Sequence, residues 1–263
     1  MIMTRIANPF SATLRVWHAI FLRETLDRLF GMRAAWAWLA VEPITHIAFM
    51  SFVWTVLRRR SMGGVDVMLW IMVGMLSFFL FRRTAVQTMH SIDCNRAFFA
   101  FRQVRPFDVS FVRAGVEAFL MLFIALFVLF ATVFLGRNPL PHDPLVVMAA
   151  VAGLWLLGLG YGLVGSVLMR LVPETSHILQ IILMPMYLLS GVIMPVISIP
   201  RPYRDWLMLN PIAHGIEAAR AGFFAGYQTA SGVSLGYLYL WALCLVFLGM
   251  ALYRAYETRL VMQ

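Results

Sequence analysis

The chain has 263 residues, of which 62% are hydrophobic and 13% are charged, and its mean hydropathy is +0.82. Soluble domains are close to half apolar and a quarter charged, so this composition excludes a water-soluble enzyme. All 21 basic residues are arginine, and the lack of lysine excludes a standard Walker A site and a Schiff-base lysine. The net charge of +9 fits arginines that anchor loops to anionic lipid better than it fits nucleic-acid binding.

The first 33 residues contain five arginines and no continuous apolar run. Residues 11–30 mix apolar side chains such as Leu14, Trp17 and Phe21 with charged ones in a loose helical pattern. This pattern predicts an N-terminal helix at the membrane interface, with a solvated cytoplasmic arm as the alternative. We expect two regions, a cytoplasmic or interfacial segment over residues 1–33 and a transmembrane domain over residues 34–263.

Six apolar segments follow, each close to the length that crosses about 30 Å of hydrocarbon. They cover about residues 34–57, 67–86, 114–135, 145–169, 178–199 and 235–253. A closed barrel is disfavoured, because barrel strands have about ten residues and alternate in polarity. The sequence therefore predicts an all-α integral membrane protein with six transmembrane helices.

The distribution of arginines predicts the orientation of these spans. With both termini in the cytoplasm, the inner segments contain 14 arginines and the outer segments contain seven. Because cytoplasmic loops carry the excess of basic residues, this count favours cytoplasmic termini. The triplet Arg58–Arg60 then lies outside, against the local rule, whereas the strongly basic loop over residues 82–113 lies inside.

The outer loop over residues 198–234 is too long for a turn and too apolar for a solvated linker. Asn210 before Pro211 is typical of a helix start, because asparagine can cap and proline fits the first turn. Glu217 and Arg220 are spaced so that they share one face of that helix. We predict two short re-entrant periplasmic helices that meet at Asn210 and Pro211 and act as a gate.

Gly160, Gly162 and Gly165 spell GxGxxG, but they lie inside an apolar segment and not between a strand and a helix. We interpret Gly158 and Gly162 as a small-residue pair for close helix packing. HExxH does not occur, and neither cysteine has zinc-site spacing. The sequence therefore predicts no catalytic residue and no metal site.

Few ionisable residues lie within the predicted spans. Glu42 and His46 are one helical turn apart in the first span, and Glu117 lies early in the third. Ionisable groups in a membrane are costly and often functional, so Glu42 and His46 either pair structurally or line a transport path. Tyr187, in the proline-containing fifth span, is the candidate aromatic for contact with a sugar ring.

The chain resembles the membrane subunits of type-2 ABC exporters, most closely the KpsM-like permeases that export capsular polysaccharide in Gram-negative bacteria. The resemblance rests on FLRE at residues 21–24, EPITH at 42–46, Glu117, IPRPYRDW at 199–206, LNPIAHGIEAAR at 209–220 and ALYR at 251–254. The basic loop fits the family at Asp93, Asn95, Phe99, Arg102, Val104, Pro106 and Asp108. Gln103 departs from the family pattern, which has proline there.

The resemblance implies a homodimer of this chain with two copies of a cytoplasmic, KpsT-like ABC ATPase, in the bacterial inner membrane. ATP and magnesium would bind the ATPase, and this chain would carry no cofactor. The cargo would be a lipid-linked acidic polysaccharide, moved to the periplasm and passed to KpsE-like periplasmic and KpsD-like outer-membrane proteins. Membrane lipid would surround the spans, and no nucleic acid is expected.

Three sets of candidate site residues follow from the resemblance and the patterns above. The residues expected to couple to the ATPase are Asp93, Asn95, Phe99, Arg102, Arg105, Pro106 and Asp108. The residues expected along the substrate path are Glu42, His46, Arg82, Arg83 and Tyr187. The residues expected at the periplasmic gate are Trp206, Asn210, Pro211, His214, Glu217 and Arg220.

Arg82 and Arg83 are assigned to the path because guanidinium groups bind phosphate or carboxylate in bidentate geometry. Extension of both side chains to lipid headgroups is the alternative. Export of O-antigen or teichoic acid and efflux of small molecules such as drugs are the alternative functions within the superfamily. A passive channel, a proton-coupled transporter and a membrane-embedded transferase or hydrolase are the alternatives from other classes.

Overall fold

The computed structural model of the chain describes residues 9–31, 33–57, 61–62, 65–96, 99 and 104–262, and is almost entirely helical. The helices are α1 (Pro9–Phe30), α2 (Ala35–Leu57), α3 (Val67–Met89), α4 (Ser91–Cys94), α5 (Pro106–Phe134), α6 (Pro144–Leu171), α7 (Thr175–Leu189), α8 (Tyr203–Leu207), α9 (Pro211–Phe223), α10 (Leu235–Ala255) and α11 (Glu257–Met262). Strands β1 (Ser61–Met62) and β2 (Val65–Asp66) form a small antiparallel pair between α2 and α3. The predicted all-α class is confirmed.

In the described part of the chain, five helices are long and apolar enough to cross a membrane, namely α2, α3, α5, α6 and α10. They correspond to the predicted first, second, third, fourth and sixth spans. The α5 helix begins at Pro106, not at residue 114. Its first turns include polar residues such as Arg113 that find partners inside the protein, so apolarity alone placed the start too late.

The predicted fifth span, residues 178–199, is not a single helix. The α7 helix has 15 residues and ends at Leu189, after Pro185, and the chain then turns at Gly191 with φ of +71°. A 3-10 turn over Val196–Ser198 follows Pro195. At 1.5 Å per residue, α7 is roughly 22 Å long, shorter than about 30 Å of hydrocarbon.

The α3 helix lies at the centre of the bundle and is buried on most of its surface. It packs along α6, where a Cβ on Gly158 would lie 2.8 Å from the Phe81 carbonyl oxygen. A Cβ on Gly162 would collide with the Cβ of Thr88. The interpretation of these glycines as a close-packing pair is therefore confirmed.

The α1 helix packs one face against α5 and leaves an apolar face uncovered. Ile20 is buried against Val109, Val112 and other residues of α5. Exposed apolar residues of α1 are Leu14, Leu22, Leu26 and Phe30. We call the end of the bundle where α1 lies the α1 end, and the opposite end, where α9 lies, the α9 end.

The outer surface of α5 is strongly apolar. Its exposed side chains include Phe119, Leu122, Phe123, Leu126, Phe127 and Phe130. An uncovered surface of this kind, on a helix longer than a bilayer's hydrocarbon core, has lipid tails as its natural solvent.

Candidate functional site

Four of the five predicted path residues meet where α2 faces α3 and α7. Arg82 Nη2 lies 3.4 Å from Glu42 Oε1, and one turn further along α2 the Tyr187 hydroxyl lies 3.2 Å from His46 Nε2. We call Glu42, His46, Arg82 and Tyr187 the transport face. The Glu42 and Arg82 side chains are 59% and 43% exposed. Exposed charges are costly against lipid tails, so this face needs water or protein as its surroundings.

Aromatic rings support the Tyr187 end of the transport face. The Tyr187 ring packs edge-on against Phe78, with centroids 5.1 Å apart, and against His46 at 5.7 Å. His46 also packs against Phe79 at 5.6 Å. These contacts therefore fix the orientation of the Tyr187 ring between α2 and α3, so the ring does not rotate freely to contact a sugar.

Arg83 points away from the transport face, because consecutive helical residues differ in direction by about 100°. Its Nε donates to Glu117 Oε2 at 3.2 Å, and its Nη1 donates to the Leu39 carbonyl at 3.2 Å. The side chain is only 14% exposed. The placement of Arg82 and Arg83 together on the path is therefore not what the structure shows.

Arg83 belongs to a largely buried group of charged and polar side chains at the α1 end. We call this group, which consists of Glu24, Arg28, Arg83, Gln87, Arg113 and Glu117, the arginine–glutamate cluster. Arg28 donates to Glu117 Oε1 at 2.6 Å, and Arg113 donates to Glu24 Oε1 at 3.1 Å. Both arginines also donate to the side-chain oxygen of Gln87. The cluster thus joins α1, α3 and α5 through hydrogen bonds between charged groups.

The predicted ATPase-coupling residues divide into exposed and internal ones. Asp93 is exposed and forms ion pairs with Arg96 and Arg170 at 2.9 and 3.6 Å. Asn95 is buried and donates to Glu24 Oε1 at 2.8 Å, so it faces the protein interior and not a partner surface. Phe99 is half-buried, and Arg102 lies outside the described residues.

Residues 105–108 form the start of α5. Arg105 is exposed, Pro106 is buried in the first turn, and Asp108 Oδ2 accepts from the Arg105 backbone N–H at 3.2 Å. Asp108 Oδ1 also accepts from Trp17 Nε1 at 2.9 Å, which ties α1 to this point. An open pocket of about 360 Å³ lies here, between the start of α5 and the junction of α10 with α11.

At the α9 end, Asn210 ties the start of α9 to the end of α7. Its Oδ1 accepts from the Ile212 backbone N–H at 3.0 Å, which is the capping bond that the sequence predicts. Its Nδ2 donates to Ser190 Oγ at 2.8 Å and to the Leu189 carbonyl at 3.3 Å. The helix start at Asn210 and Pro211 is confirmed.

Glu217 and Arg220 form a fully buried ion pair at 3.2 Å. The Arg220 guanidinium also donates to the carbonyls of Gly191 and Val192, at 2.6 and 2.9 Å, and lies 3.4 Å from the centre of the Trp70 ring. Burial raises the pKa of the Glu217 carboxyl group, and Arg220 opposes this shift. Arg220 therefore fastens α9 to α3 and to the turn after α7.

His214 uses both nitrogens of its ring. Nε2 donates to the Met208 carbonyl at 2.7 Å, and Nδ1 accepts from the Ser234 backbone N–H at 3.0 Å. This pattern requires the neutral ring with hydrogen on Nε2. Burial lowers the pKa of His214, which favours the same neutral form.

Trp206 does not join the other predicted gate residues. It lies on α8, which has no buried residue, and Trp206 is 76% exposed. The helix has only five residues, so it cannot pack a face into the protein in the way that α9 does. The predicted gate set therefore separates into the buried His214, Glu217 and Arg220 on α9, the half-buried Asn210 and Pro211 at its start, and an exposed tryptophan on α8.

Residues 15–224, which include all three predicted sets, match the ABC-2 type transporter family. The chain belongs to this family. As an ABC-2 type protein it is similar to the polysialic acid transport protein KpsM of Escherichia coli, with 30% identity over 241 residues that cover 91% of this chain and 92% of that protein. This similarity places it among the KpsM-like capsule export permeases.

Two further ABC-2 relatives carry related names. The capsule polysaccharide export inner-membrane protein CtrC of Neisseria meningitidis is 27% identical, over 90% of this chain and 89% of its own length. The capsule polysaccharide export inner-membrane protein BexB of Haemophilus influenzae is 25% identical, over 92% of this chain and 91% of its own length. The likeness therefore extends over almost the full length of each of these capsule export proteins.

Sequence reasoning on this permease missed most of the arginine–glutamate cluster. The sequence singles out Glu117, but it shows Glu24 and Arg28 only as charged residues within a loose helical pattern. Their spacing of four residues places them on one face of α1, and that face also carries the buried Ile20. Charged residues on the same helix face as a buried apolar residue are therefore the sequence signal that could have predicted a buried ionic cluster.

Proposed function

We propose that this chain is the permease subunit of an ATP-driven exporter that moves lipid-linked capsular polysaccharide across the inner membrane to the periplasm. The observation that carries the proposal is the transport face, whose charged side chains Glu42 and Arg82 are exposed between helices that are otherwise apolar. The names of the relatives supply the cargo class. A polymer of hydroxyl and acidic groups needs such a lining, because hydrocarbon does not solvate it.

The transport face supports a homodimer. On one copy the Glu42–Arg82 ion pair is open to the outside of the bundle. A second copy related by two-fold symmetry would enclose it and turn two half-faces into one pathway. Arg82 would then offer its free donors to acidic groups or phosphate on the cargo.

The two ends of the bundle suggest the remaining partners. We place the α1 end in the cytoplasm, with the exposed residues Asp93, Arg96 and Arg105 against a KpsT-like ATPase, where ATP and magnesium bind. The apolar face of α1 would then lie in the inner leaflet. The α9 end would form the periplasmic gate, with α8 and α9 as its re-entrant helices, next to KpsE-like and KpsD-like export proteins.

The test is to delete the gene in its host and to locate the high-molecular-weight acidic polysaccharide. We expect the polymer to accumulate inside the cell with a bare surface, and the wild-type gene to restore the surface polymer. Normal surface polysaccharide in the deletion strain would contradict capsule export and direct the search to O-antigen, teichoic acid or small-molecule cargo.

Complementation with Arg82→Gln tests the transport face. We expect surface polymer to fall by at least roughly tenfold, because one charge-assisted contact with the cargo is worth about 1.5–3 kcal/mol. Arg23→Gln is the matched control, since it neutralises another exposed arginine that forms an ion pair, with Asp27 on α1. Full export by Arg82→Gln at wild-type protein level would remove Arg82 from the path.

A further inference from the structure

Four buried hydroxyl groups form a continuous chain at the α1 end. Ser91 Oγ of α4 lies 2.6 Å from Ser110 Oγ of α5, which lies 2.7 Å from the Tyr253 hydroxyl of α10. The Tyr253 hydroxyl in turn lies 2.7 Å from Ser166 Oγ of α6. We call these four groups the hydroxyl chain. It links the short helix α4 to three long helices within one hydrogen-bonded series.

The hydrogens of the chain can be assigned by counting donors. Ser166 Oγ donates to the Leu163 carbonyl at 2.8 Å, so it accepts from Tyr253. The single Tyr253 hydrogen is then used, so Tyr253 accepts from Ser110, and Ser110 accepts from Ser91. Ser110 also lies 3.1 Å from the Pro106 carbonyl, a longer contact than its 2.7 Å bond to Tyr253. Four hydrogens thus make four bonds in one direction, an arrangement in which each bond polarises the next.

Apolar packing surrounds the chain. All four residues are buried, and the hydrophobic cluster around Tyr253 includes Leu159, Leu163, Val167 and Leu260. A hydroxyl group in such surroundings is costly to leave without a partner. The α4 helix therefore cannot shift against α5 and α10 unless it carries them along or breaks the chain.

We propose that the hydroxyl chain is a mechanical link that carries movement of α4 into α5, α10 and α6. The inference rests on the proposed function in one respect, namely that α4 lies in the segment that docks on the ATPase. The α3 helix, which carries Arg82, ends one residue before α4 and moves with it through the backbone, and the glycine face of α6 packs on α3. Ser91, Ser110, Ser166 and Tyr253 are positioning residues in this proposal and do not touch the cargo.

Tyr253→Phe is the first test, because it removes one hydroxyl and keeps the ring. The variant is purified with its ATPase, and we measure ATP hydrolysis together with the fraction of acidic polysaccharide that reaches the cell surface. We expect hydrolysis within about twofold of wild type and export per ATP lowered roughly fivefold, the factor that corresponds to one hydrogen bond of about 1 kcal/mol. Tyr256→Phe is the matched control, since Tyr256 is only half-buried and its ring is kept.

A purely structural role would give a different result. In that case thermal stability, hydrolysis and export would fall in parallel, and this outcome would overturn the proposal. Export per ATP at the wild-type level in Tyr253→Phe would overturn it as well. Ser91→Ala combined with Tyr253→Phe sharpens the test, because two breaks in one chain should cost no more than the larger single break. Losses that simply add would contradict the chain as a unit.

Cys94→Arg separates this inference from the proposed function. Cys94 is exposed on α4 and is not part of the hydroxyl chain. Loss of the ATPase from the purified complex would support docking at α4. Retention of the ATPase with normal hydrolysis would contradict docking there and, with it, the link. Docking at α4 together with wild-type export per ATP in Tyr253→Phe would overturn the link alone.

Discussion

His214 is a residue whose two hydrogen bonds depend on one protonation state. A proton on Nδ1 would place an N–H group against the Ser234 backbone N–H, which now donates to that nitrogen. The ring faces Tyr237, with centroids 4.7 Å apart, and its other contact is the Met208 carbonyl. Acid therefore removes one of the bonds that hold α9 to the start of α10.

The pH dependence of stability follows from this arrangement. Burial lowers the pKa of His214 in the folded protein, so below about pH 6.5 the unfolded chain binds more protons than the folded one. The contribution of neutral His214 to the free energy of unfolding is fully present above the pKa that His214 has in the unfolded chain. It is lost as the pH falls toward the lower pKa that His214 has in the folded protein. We expect the melting temperature of the detergent-solubilised protein to fall by roughly 2–4 °C on acidification through this range.

The comparison is with His214→Gln, measured by the same thermal scan at pH 7.5 and pH 5.5. Glutamine can donate and accept but does not titrate in this range. A pH effect of equal size in the variant would show that His214 is not its source.

Arg220 is a second residue with a sharp expectation. Arg220→Met leaves the Glu217 carboxylate buried without its ion-pair partner, a change that costs about 3–5 kcal/mol in typical cases. We expect a strong loss of folded protein in the membrane, measured by fluorescence-detected size exclusion. Adding Glu217→Gln should recover part of that loss, because the uncompensated charge is then removed. If the double variant gives as little folded protein as Arg220→Met, the destabilisation comes from the lost hydrogen bonds to backbone carbonyls and not from the unpaired Glu217 carboxylate.

At the scale of elements, the arginine–glutamate cluster attaches α1 to the membrane helices. The Glu117 carboxylate forms ion pairs with Arg28 of α1 and Arg83 of α3, so it compensates positive charges from two helices. A buried carboxylate in this position is costly to remove, because both guanidinium groups remain. The attachment of α1 thus depends on a residue of α5.

Glu117→Gln should therefore loosen α1 more than it loosens the bundle. We expect hydrogen exchange of residues 14–30 to rise at least about tenfold, while exchange in α6 stays within twofold of wild type. Glu174→Gln, on an exposed residue at the start of α7, is the control. Uniform exchange increases throughout the chain would indicate global destabilisation and not release of α1.

Local sequence patterns were enough to predict some of these structural features but not others. The start of α9 at Asn210 and Pro211 was predictable because capping uses only neighbouring residues. The packing glycines were predictable for the same reason. The end of α7 at Leu189 was not, since residues 190–199 are mostly apolar and their turn is stabilised by Arg220, which lies 29 residues beyond Gly191. The helical period alone predicts that Arg82 and Arg83 point in different directions, but it does not predict their partners, Glu42 of α2 and Glu117 of α5.

At the scale of the whole molecule, the proposed orientation places Cys94 on the cytoplasmic side. Cys94 is exposed at the end of α4, so it is open to reagents at the α1 end. A membrane-impermeant maleimide should leave it unlabelled in intact spheroplasts and label it after permeabilisation. Asn138→Cys, in the exposed loop between α5 and α6, should show labelling before permeabilisation. The reverse pattern would invert the topology.

The joint between α7 and α9 has a consequence for the permeability barrier. The carbonyls of Leu189, Gly191 and Val192 receive their hydrogen bonds from Asn210 and Arg220. If α9 swings away, hydrocarbon has no donors to replace those bonds, and only water can do so. The open state of the gate would therefore contain water, and ions that crossed it would dissipate the membrane potential. The polymer itself would have to fill the opening and prevent the leakage of ions.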